Sequence, residues 1–207
     1  MSAPFLYRAW VLASRCLIPF AASAEARKLH GQDVPAARAG EKRGIATLPR
    51  QTDGKLVWVH AASVGESLSV LALITSGTAT SAMLVAQRLP PRSVHQFAPL
   101  DAPGPLKRFL SHWRPDAAIF VESEIWPQML RRTHATGAPM ALVNARMSDK
   151  TVDFWEKWPR TARYLFDVFA LILTQNDAMA RNMIRMHAPA DRVSRGVNLK
   201  SMAGPLP

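Results

Sequence analysis

Short apolar runs alternate with amphipathic segments along most of the chain. Five runs have the length and composition of buried strands: KLVWVHA (55–61), VHQFAPL (94–100), AAIFVES (117–123), PMALVNA (139–145) and ALILTQN (170–176). Four segments have apolar residues at helical spacing: GPLKRFLSHW (104–113), WPQMLRRTHATG (126–137), DFWEKWPRTARYLFDVF (153–169) and NDAMARNMIRMHA (176–188). This alternation predicts an α/β fold, a parallel sheet flanked by helices on both faces.

The first 26 residues follow a different pattern. The run from Ala9 to Ala24 is apolar except for Arg15, and it is too short and too interrupted for a comfortable transmembrane span. We predict that residues 1–26 form a helix that lies on a membrane from its cytoplasmic side. Two alternatives stay open: an ordinary packing helix, and a cleaved signal peptide, since Ala22 to Ala24 has the small-x-small form. Arg15 and the basic residues after the run argue against the signal peptide.

Residues 27–54 are polar with scattered Gly and Pro, and they are predicted to be a linker that contains one turn of helix. The chain carries 26 Lys and Arg against 15 Asp and Glu, a net charge of +11. This excess indicates a polyanionic partner: nucleic acid, anionic lipid or a phosphorylated substrate. No recognition helix or set of stacking aromatics supports nucleic acid, so we predict no nucleic-acid partner. The single cysteine, Cys16, excludes a disulfide or a cysteine-based metal site within one chain.

Polar residues follow the predicted strands repeatedly. They are Ser63, Gly65 and Glu66 after the first strand, Asp101 after the second, Glu122 and Glu124 after the third, Asn144, Arg146 and Ser148 after the fourth, and Gln175 and Asn176 after the fifth. In open parallel sheets, ligands bind at the edge formed by the carboxyl ends of the strands. Asp101, Ser148 or Asp177 could equally be the N-cap of a helix, whereas two acids beside Ile125-Trp126-Pro127 exceed what a cap needs.

Glu66 lies where the first strand meets the N-terminus of a helix. The helix dipole there favours the carboxylate, which can act as a general base on a binding rim. A glutamate in the first turn that only stabilises its helix is the alternative interpretation.

Six motifs in a fixed order resemble one known family. They are WVHAASVGE (58–66), TSGTATSA (75–82), HQFAPLD (95–101), FVESEIWP (120–127), LVNARMS (142–148) and GVNLK (196–200). Together they resemble the N-terminal domain of 3-deoxy-D-manno-octulosonic acid (Kdo) transferase, and they cover nearly all of residues 55–200. The basic, apolar start is also similar to the membrane-anchoring segment of that family.

The resemblance implies a Rossmann-like acceptor-binding domain over residues 55–200, the N-terminal half of a GT-B glycosyltransferase. The family transfers Kdo from CMP-Kdo to a lipid A precursor, with inversion, in lipopolysaccharide synthesis at the cytoplasmic face of the inner membrane. The implied partners are therefore CMP-Kdo, bound mainly by a C-terminal domain, the lipid A precursor and the anionic membrane surface. No cofactor is implied, and no Asp-x-Asp-like pair predicts a metal site.

The resemblance also assigns roles to single residues. Glu66 corresponds to the proposed general base, and one acid suffices for an inverting transfer. The acceptor-binding residues implied are Ser63, Gly65, Thr78, Thr80 and Ser81, with Glu122, Glu124, Asn144 and Arg146 opposite them. Arg146 is the candidate partner for a phosphate or carboxylate, because its guanidinium fork suits both. Asn198 and Lys200 are implied at the domain interface.

Three features depart from the family pattern. Only the eight residues from Ser67 to Ile74 separate Glu66 from the TSGTATS loop, which predicts the loss of most of a helix, a strand, or both. Val197 is inserted into the family's GNLK motif. Residues 201–207 resemble the start of an interdomain linker, so the donor domain is expected to be absent and the chain alone inactive. The alternative function is a non-catalytic, membrane-associated binder of anionic molecules similar to lipid A.

Overall fold

A seven-stranded, fully parallel sheet forms the centre of the molecule. The computed structural model describes residues 2–50, 54–60, 71–87, 89 and 92–196. The strands are β1 (Leu56–His60), β2 (Leu71–Ser76), β3 (Ser93–Phe97), β4 (Ala117–Val121), β5 (Met140–Ala145), β6 (Leu171–Thr174) and β7 (Val193–Arg195), in the spatial order β3-β2-β1-β4-β5-β6-β7. This is the predicted α/β Rossmann-like architecture, which is therefore confirmed.

In the described part of the chain, helices and two 3₁₀ turns surround the sheet. The helices are α1 (Phe5–His30), α2 (Ala36–Ala39), α3 (Ala79–Gln87), α4 (Pro103–Trp113), α5 (Pro127–His134), α6 (Asp149–Glu156), α7 (Pro159–Phe166) and α8 (Asp177–Arg185), and the 3₁₀ turns span Gly40–Arg43 and Ala190–Arg192. The amphipathic segment predicted over 153–169 is divided into α6 and α7. Proline lacks an amide hydrogen and is tolerated at the start of a helix, and Pro159 is the first residue of α7.

A buried aromatic cluster joins the sheet to its helices. The rings of Trp58 on β1 and Phe109 on α4 lie 4.8 Å apart, and Trp58 lies 5.4 Å from Phe120 on β4. Phe120 in turn meets Phe169, just before β6, at 6.1 Å. All four side chains are almost completely inaccessible to solvent. Offset and edge-on contacts of this kind contribute roughly 0.5–1.5 kcal/mol each beyond the area they bury, so this cluster fixes α4 against the middle of the sheet.

The strand β2 corrects one prediction made from the short connection after Glu66. Four of the eight residues from Ser67 to Ile74, namely Leu71–Ile74, belong to β2, which pairs in parallel with both β1 and β3. The connection has therefore not lost a strand. The apolar run LALI was not predicted as a strand, because the eight residues between Glu66 and Thr75 are too few for a crossover helix followed by a strand. Residues 61–70, between β1 and β2, lie outside the described residues.

α1 packs against the domain along its length. The ring of Tyr7 meets that of Tyr164 on α7 at 5.2 Å, and Trp10 Nε1 donates to Asp101 Oδ2 at 2.7 Å. Further along, Ser14 Oγ accepts from Gln128 Nε2 at 2.6 Å. The opposite face leaves large apolar side chains in solvent: Phe5, Leu12, Leu17 and Phe20. By length and composition α1 is the one described helix that could cross a membrane. Its contacts place it alongside the domain.

The segment predicted as a linker, residues 27–54, packs on the sheet in its middle part. Glu41 is completely buried, and its carboxylate accepts from the Phe97 amide at 2.6 Å and from Arg38 Nε at 3.0 Å. Lys42 is also buried, and its backbone oxygen accepts from the Leu100 amide. Part of the polarity that suggested a solvated linker comes from Arg38, Glu41 and Thr47, whose side chains pair with one another.

Gly44 lies at the point where residues 40–44 pack closely on α4. Its φ is +76°, and a Cβ there would lie 1.9 Å from the Pro105 carbonyl oxygen. Gly137, with φ +85°, has open space around the same position. We expect Gly137→Ala to lower the free energy of unfolding by about 1–2 kcal/mol through backbone strain alone. Gly44→Ala should lower it by more than about 3 kcal/mol, because a clash adds to the strain.

Urea denaturation of both variants measures this difference. Equal losses for the two alanine variants would contradict the close packing of residues 40–44 on α4.

Candidate functional site

The described candidate residues gather at one edge of the sheet. Thr78, Thr80 and Ser81 follow β2, Glu122 and Glu124 follow β4, and Asn144 and Arg146 end or follow β5. β2 and β4 are the two neighbours of β1. Ser63, Gly65 and Glu66, and also Asn198 and Lys200, lie outside the described residues. The sheet order therefore brings the described part of the predicted site to a common edge.

The point where chain order reverses lies between β1 and β4. β2 and β3 extend the sheet on one side of β1, and β4 to β7 extend it on the other. Connections leave such a pair of strands in opposite directions, which opens a crevice at their carboxyl ends, where ligands bind in this class of sheet. The strand ends that border this crevice are His60 on β1 and the segment that begins at Glu122 after β4.

A chain of polar contacts joins the ends of β1 and β2 to the segment after β4. Trp58 Nε1 donates to Thr75 Oγ1 at 2.9 Å, and Thr75 Oγ1 lies 2.9 Å from His60 Nδ1. His60 Nε2 lies 3.3 Å from Glu124 Oε2, which also accepts from Trp126 Nε1 at 2.6 Å. In the tautomer with its proton on Nε2, the His60 ring accepts from Thr75 at Nδ1, and Nε2 approaches Glu124 without reaching hydrogen-bond geometry with any described residue. Glu124 thus accepts a hydrogen bond from the Trp126 ring and lies beside the His60 ring.

These contacts set the charge state of Glu124. Burial on its own raises the pKa of the carboxyl, but the contacts with His60 and Trp126 outweigh burial and hold the pKa below its usual value. Glu124 is therefore a carboxylate at neutral pH, about a quarter exposed. A carboxylate in this position can accept hydrogen bonds from hydroxyl groups of a bound ligand.

Two other candidates have unusual backbone conformations. Glu122 has φ +61° and Asn144 has φ +53°, and they end adjacent strands, where the Glu122 amide donates to the Val143 carbonyl at 3.0 Å. Non-glycine residues in this region are uncommon, and they concentrate at ligand sites. Asn144 is 3 % exposed, and its Oδ1 has no hydrogen-bond partner in the described part of the chain. An unpaired buried acceptor costs roughly 1–3 kcal/mol, so a donor is expected here.

Thr78 and Ser81 have a structural role. Thr78 Oγ1 accepts from the Ser81 amide at 3.1 Å and donates to Ser81 Oγ at 2.9 Å, which caps the first turn of α3. Thr80 is exposed on the same turn. These contacts hold the TSGTATS loop in one conformation without excluding contacts to a ligand.

Buried polar groups support this loop from the opposite side. Lys42 Nζ donates to the Gly77 carbonyl at 2.6 Å, and His95 Nε2 lies 2.9 Å from Ser76 Oγ. Arg38 Nη2 lies 2.8 Å from His95 Nδ1, and burial together with Arg38 lowers the pKa of His95 to about 4. His95 is thus neutral at physiological pH, accepts from Arg38 at Nδ1 and donates to Ser76 from Nε2.

The remaining strand-end residues divide into caps and exposed groups. Ser148 Oγ caps α6 by accepting from the Thr151 amide at 3.3 Å. Asn176 Oδ1, rather than Asp177, caps α8. Asp101 caps a helix as well, but its carboxylate accepts from the Gln128 and Met129 amides at the start of α5 instead of serving α4. Arg146 is exposed beyond β5.

Reasoning from sequence did not single out His60 and Trp126, which contact Glu124, or Thr75, which contacts His60. His60 ends an apolar run, and a polar side chain in that place is unremarkable until the neighbouring strands are known. The signal that could have found it is the alternation in β1, where Trp58 and His60 occupy positions on the same face.

Comparison with known proteins decides the family. The model of the family described as 3-deoxy-D-manno-octulosonic-acid transferase matches residues 37–203. The chain belongs to the Kdo transferase family. The match extends through the six motifs and includes residues 37–54, part of which packs on the sheet as described above.

Curated Kdo transferases are similar over much of this chain. The Rickettsia typhi protein is 37% identical over 145 residues, which cover 63% of this chain and 31% of that protein. The probable mitochondrial Kdo transferase of Arabidopsis thaliana is 32% identical over 164 residues, 71% of this chain and 36% of its own. The Haemophilus influenzae Kdo transferase is 23% identical over 158 residues. The chain thus spans about a third of the length of these relatives.

Among solved structures, UDP-N-acetylglucosamine 2-epimerase from Rickettsia bellii is similar to 72% of this chain and 46% of its own, with 14% identity and a TM-score of 0.44.

The contact between Trp126 and Glu124 gives a prediction on pH. Trp126→Phe removes the indole N–H that stabilises the carboxylate, so the pKa of Glu124 should rise. A lowered pKa stabilises the fold above the ordinary glutamate value and loses this effect as the pH falls. The stability difference between Trp126→Phe and the unsubstituted chain should therefore shrink in acid.

Carbon-13 NMR titration of the glutamate carboxyl groups measures this pKa directly. Trp158→Phe is the matched control, because Trp158 is equally exposed on the surface. A Glu124 pKa that stays unchanged in Trp126→Phe, or that rises as much in Trp158→Phe, would contradict the assigned contact.

Proposed function

We propose that this chain forms the acceptor-binding part of an inverting GT-B enzyme that transfers Kdo from CMP-Kdo to a lipid A precursor. The family match over residues 37–203 carries the proposal. The candidate residues also gather at the carboxyl edge of the sheet, near the point between β1 and β4 where chain order reverses. The crevice between β1 and β4 is where we place the acceptor sugar. The net charge of +11 favours an acceptor that carries phosphates.

Within this proposal Glu66 is the general base. In the sequence it follows His60, the last residue of β1, by six positions. It would remove the proton of the acceptor hydroxyl while the bond from Kdo to CMP breaks on the opposite side, which is the order that inversion requires. Glu124 would orient the acceptor through its hydroxyl groups, and Arg146 would bind a phosphate or carboxylate.

We further propose that the enzyme acts at the cytoplasmic face of the inner membrane. α1 carries an exposed apolar face of four large side chains and is tied to the domain by polar contacts at Trp10 and Ser14. A helix held in this way would lie in the membrane interface instead of crossing the bilayer. The acceptor lipid would then reach the domain without leaving the membrane.

Direct binding tests the acceptor assignment. The purified chain should bind a lipid A precursor presented in mixed micelles, and Arg146→Ala should weaken this binding by about tenfold or more, the loss expected for a charged hydrogen-bonded pair. Arg160→Ala, which removes an exposed arginine on α7, serves as the charge-matched control. Equal affinities of the two variants would remove Arg146 from the acceptor site, and no binding by the unsubstituted chain would contradict the proposed function.

The base is tested in a fusion of this chain with the C-terminal part of the Rickettsia typhi relative. Glu66→Gln in this fusion should bind the acceptor normally but lose transfer by about 10²- to 10⁴-fold, the usual contribution of a general base. Mass spectrometry of the Kdo-lipid product measures the rate. Near-normal turnover would exclude Glu66 as the base. A fusion that binds acceptor but transfers nothing even with Glu66 present would favour the non-catalytic binder.

A further inference from the structure

A groove lies between α1 and the start of α4, apart from the crevice between β1 and β4. Its volume is about 530 Å³. Its lining combines three arginines with mostly apolar residues: Arg15, Ile18, Pro19 and Ala22 of α1, Arg43 and Ile45 near the 3₁₀ turn, and Ala102, Pro103, Gly104, Pro105 and Arg108 at α4. Among the described residues, no aspartate or glutamate lines it. The groove is thus apolar in its walls and cationic in its charge.

The described part of the chain offers the three arginines no ion-pair partner. Arg15, Arg43 and Arg108 are all exposed, and none of them forms an ion pair with another described residue. Arg108 Nε donates to the Arg43 carbonyl at 2.8 Å, which holds Arg108 beside the turn and leaves its terminal nitrogens available. Like charges placed around one cavity repel each other unless an anion joins them.

The start of α4 adds to this positive potential. The partial positive charge of a helix is concentrated at its first turn, where the amides lack partners within the helix. Pro103 and Pro105 have no amide hydrogen, and the Leu106 amide already donates to the Ala102 carbonyl. The Gly104 amide is therefore the one donor of this first turn without a partner inside the helix, and Gly104 lines the groove.

The groove adjoins the exposed apolar face of α1. Pro19 lines the groove, and Leu12, seven residues earlier, is two helical turns away on nearly the same side of the helix. Leu12 is 66 % exposed, and Phe5 and Phe20 continue the apolar face beyond it. A ligand that fits both surfaces has an anionic group next to a long apolar group. Inorganic phosphate would satisfy the arginines and leave the apolar walls uncovered.

We propose that this groove binds the phosphate group of an anionic bilayer phospholipid, whose acyl chains extend along the outer face of α1. Arg15, Arg43 and Arg108 contact the phosphate, and the Gly104 amide donates to it. The site differs from the acceptor crevice and does not depend on transferase activity. It fixes the depth and rotation of the domain on the membrane at one lipid, beyond the general attraction of a basic protein to an anionic surface.

Vesicle binding tests the site with the full 207-residue chain. We compare phosphatidylcholine vesicles with and without phosphatidylglycerol, using Arg15→Gln/Arg43→Gln and the control Arg160→Gln/Arg181→Gln. Both pairs remove two charges from exposed positions, and neither disturbs the bond from Arg108 to the Arg43 carbonyl. We expect the groove pair to lose about thirtyfold in partitioning to the anionic vesicles and the control pair to lose much less. Equal losses would overturn the proposal, because they would show a diffuse charge effect.

A soluble probe tests the same site without a membrane and without a substitution. Dihexanoyl-phosphatidylglycerol, below its micelle concentration, should shift the Gly104 amide resonance of the unsubstituted chain in a saturable way. Inorganic phosphate at equal concentration should cause a much smaller shift. Equal shifts would indicate a site for free phosphate, and no shift with the lipid would indicate an empty groove. Either result would overturn the assignment to a phospholipid, even if the arginine variants failed to fold.

Discussion

One buried carboxylate determines how two separate parts of this molecule are placed. Asp101 follows β3, and its Oδ1 and Oδ2 accept from the Met129 and Gln128 amides at the first turn of α5. Oδ2 also accepts from Trp10 on α1 at 2.7 Å. Burial raises the pKa of Asp101, while these donors act in the opposite direction. A carboxylate this deeply buried is tolerated because amides and the helix N-terminus surround it.

The consequences of this contact reach both sites. The segment that carries Glu124 and Trp126 ends at Pro127, the first residue of α5, so fixing the start of α5 also fixes the loop that borders the crevice. The bond from Trp10 to Asp101 also holds α1 beside α4, and these two helices form the walls of the groove that contains the three arginines. A second buried carboxylate, Glu41, performs a similar task for the turn that contributes Arg43. Asp101 and Glu41 thus hold in place the helix and the turn that contribute Arg15 and Arg43 to the groove.

The sequence predicted much of the sheet and less of what surrounds it. β1, β3, β4, β5 and β6 were predicted because each is a short apolar run bounded by polar or turn residues. β2 and α3 were missed because LALITSGTATSA lacks charges, so neither the strand nor the helix shows a polar face. β7, with only the three residues Val193–Arg195, is too short to produce a pattern.

The sequence predicted that the candidate site lies at the carboxyl ends of the strands. The structure adds the side-chain contacts, which the spacing of residues in the sequence does not reveal. Glu122, Glu124 and Asn144 lie at the carboxyl ends of β4 and β5, and their role in binding an acceptor stays a prediction. The pairing of Glu124 with His60 depends on β1 and β4 being neighbours, although 56 residues separate β4 from the end of β1 in the chain. Nothing local to either motif encodes this adjacency. The same holds for Asp101, whose partners at α5 and α1 are distant in sequence.

The geometry of a parallel sheet links the two proposed sites. Each helix that follows a strand begins at the carboxyl edge, so the starts of α4 and α5 lie on the same side of the sheet as His60 and Glu124. The groove is built on the start of α4, and the crevice is bordered by the loop before α5. A phospholipid in the groove would therefore bring the carboxyl edge towards the bilayer. On the proposed function, this orientation lets a lipid-linked acceptor enter the crevice with its acyl chains still in the membrane, because the surface that binds lipid and the edge that binds sugar face the same way.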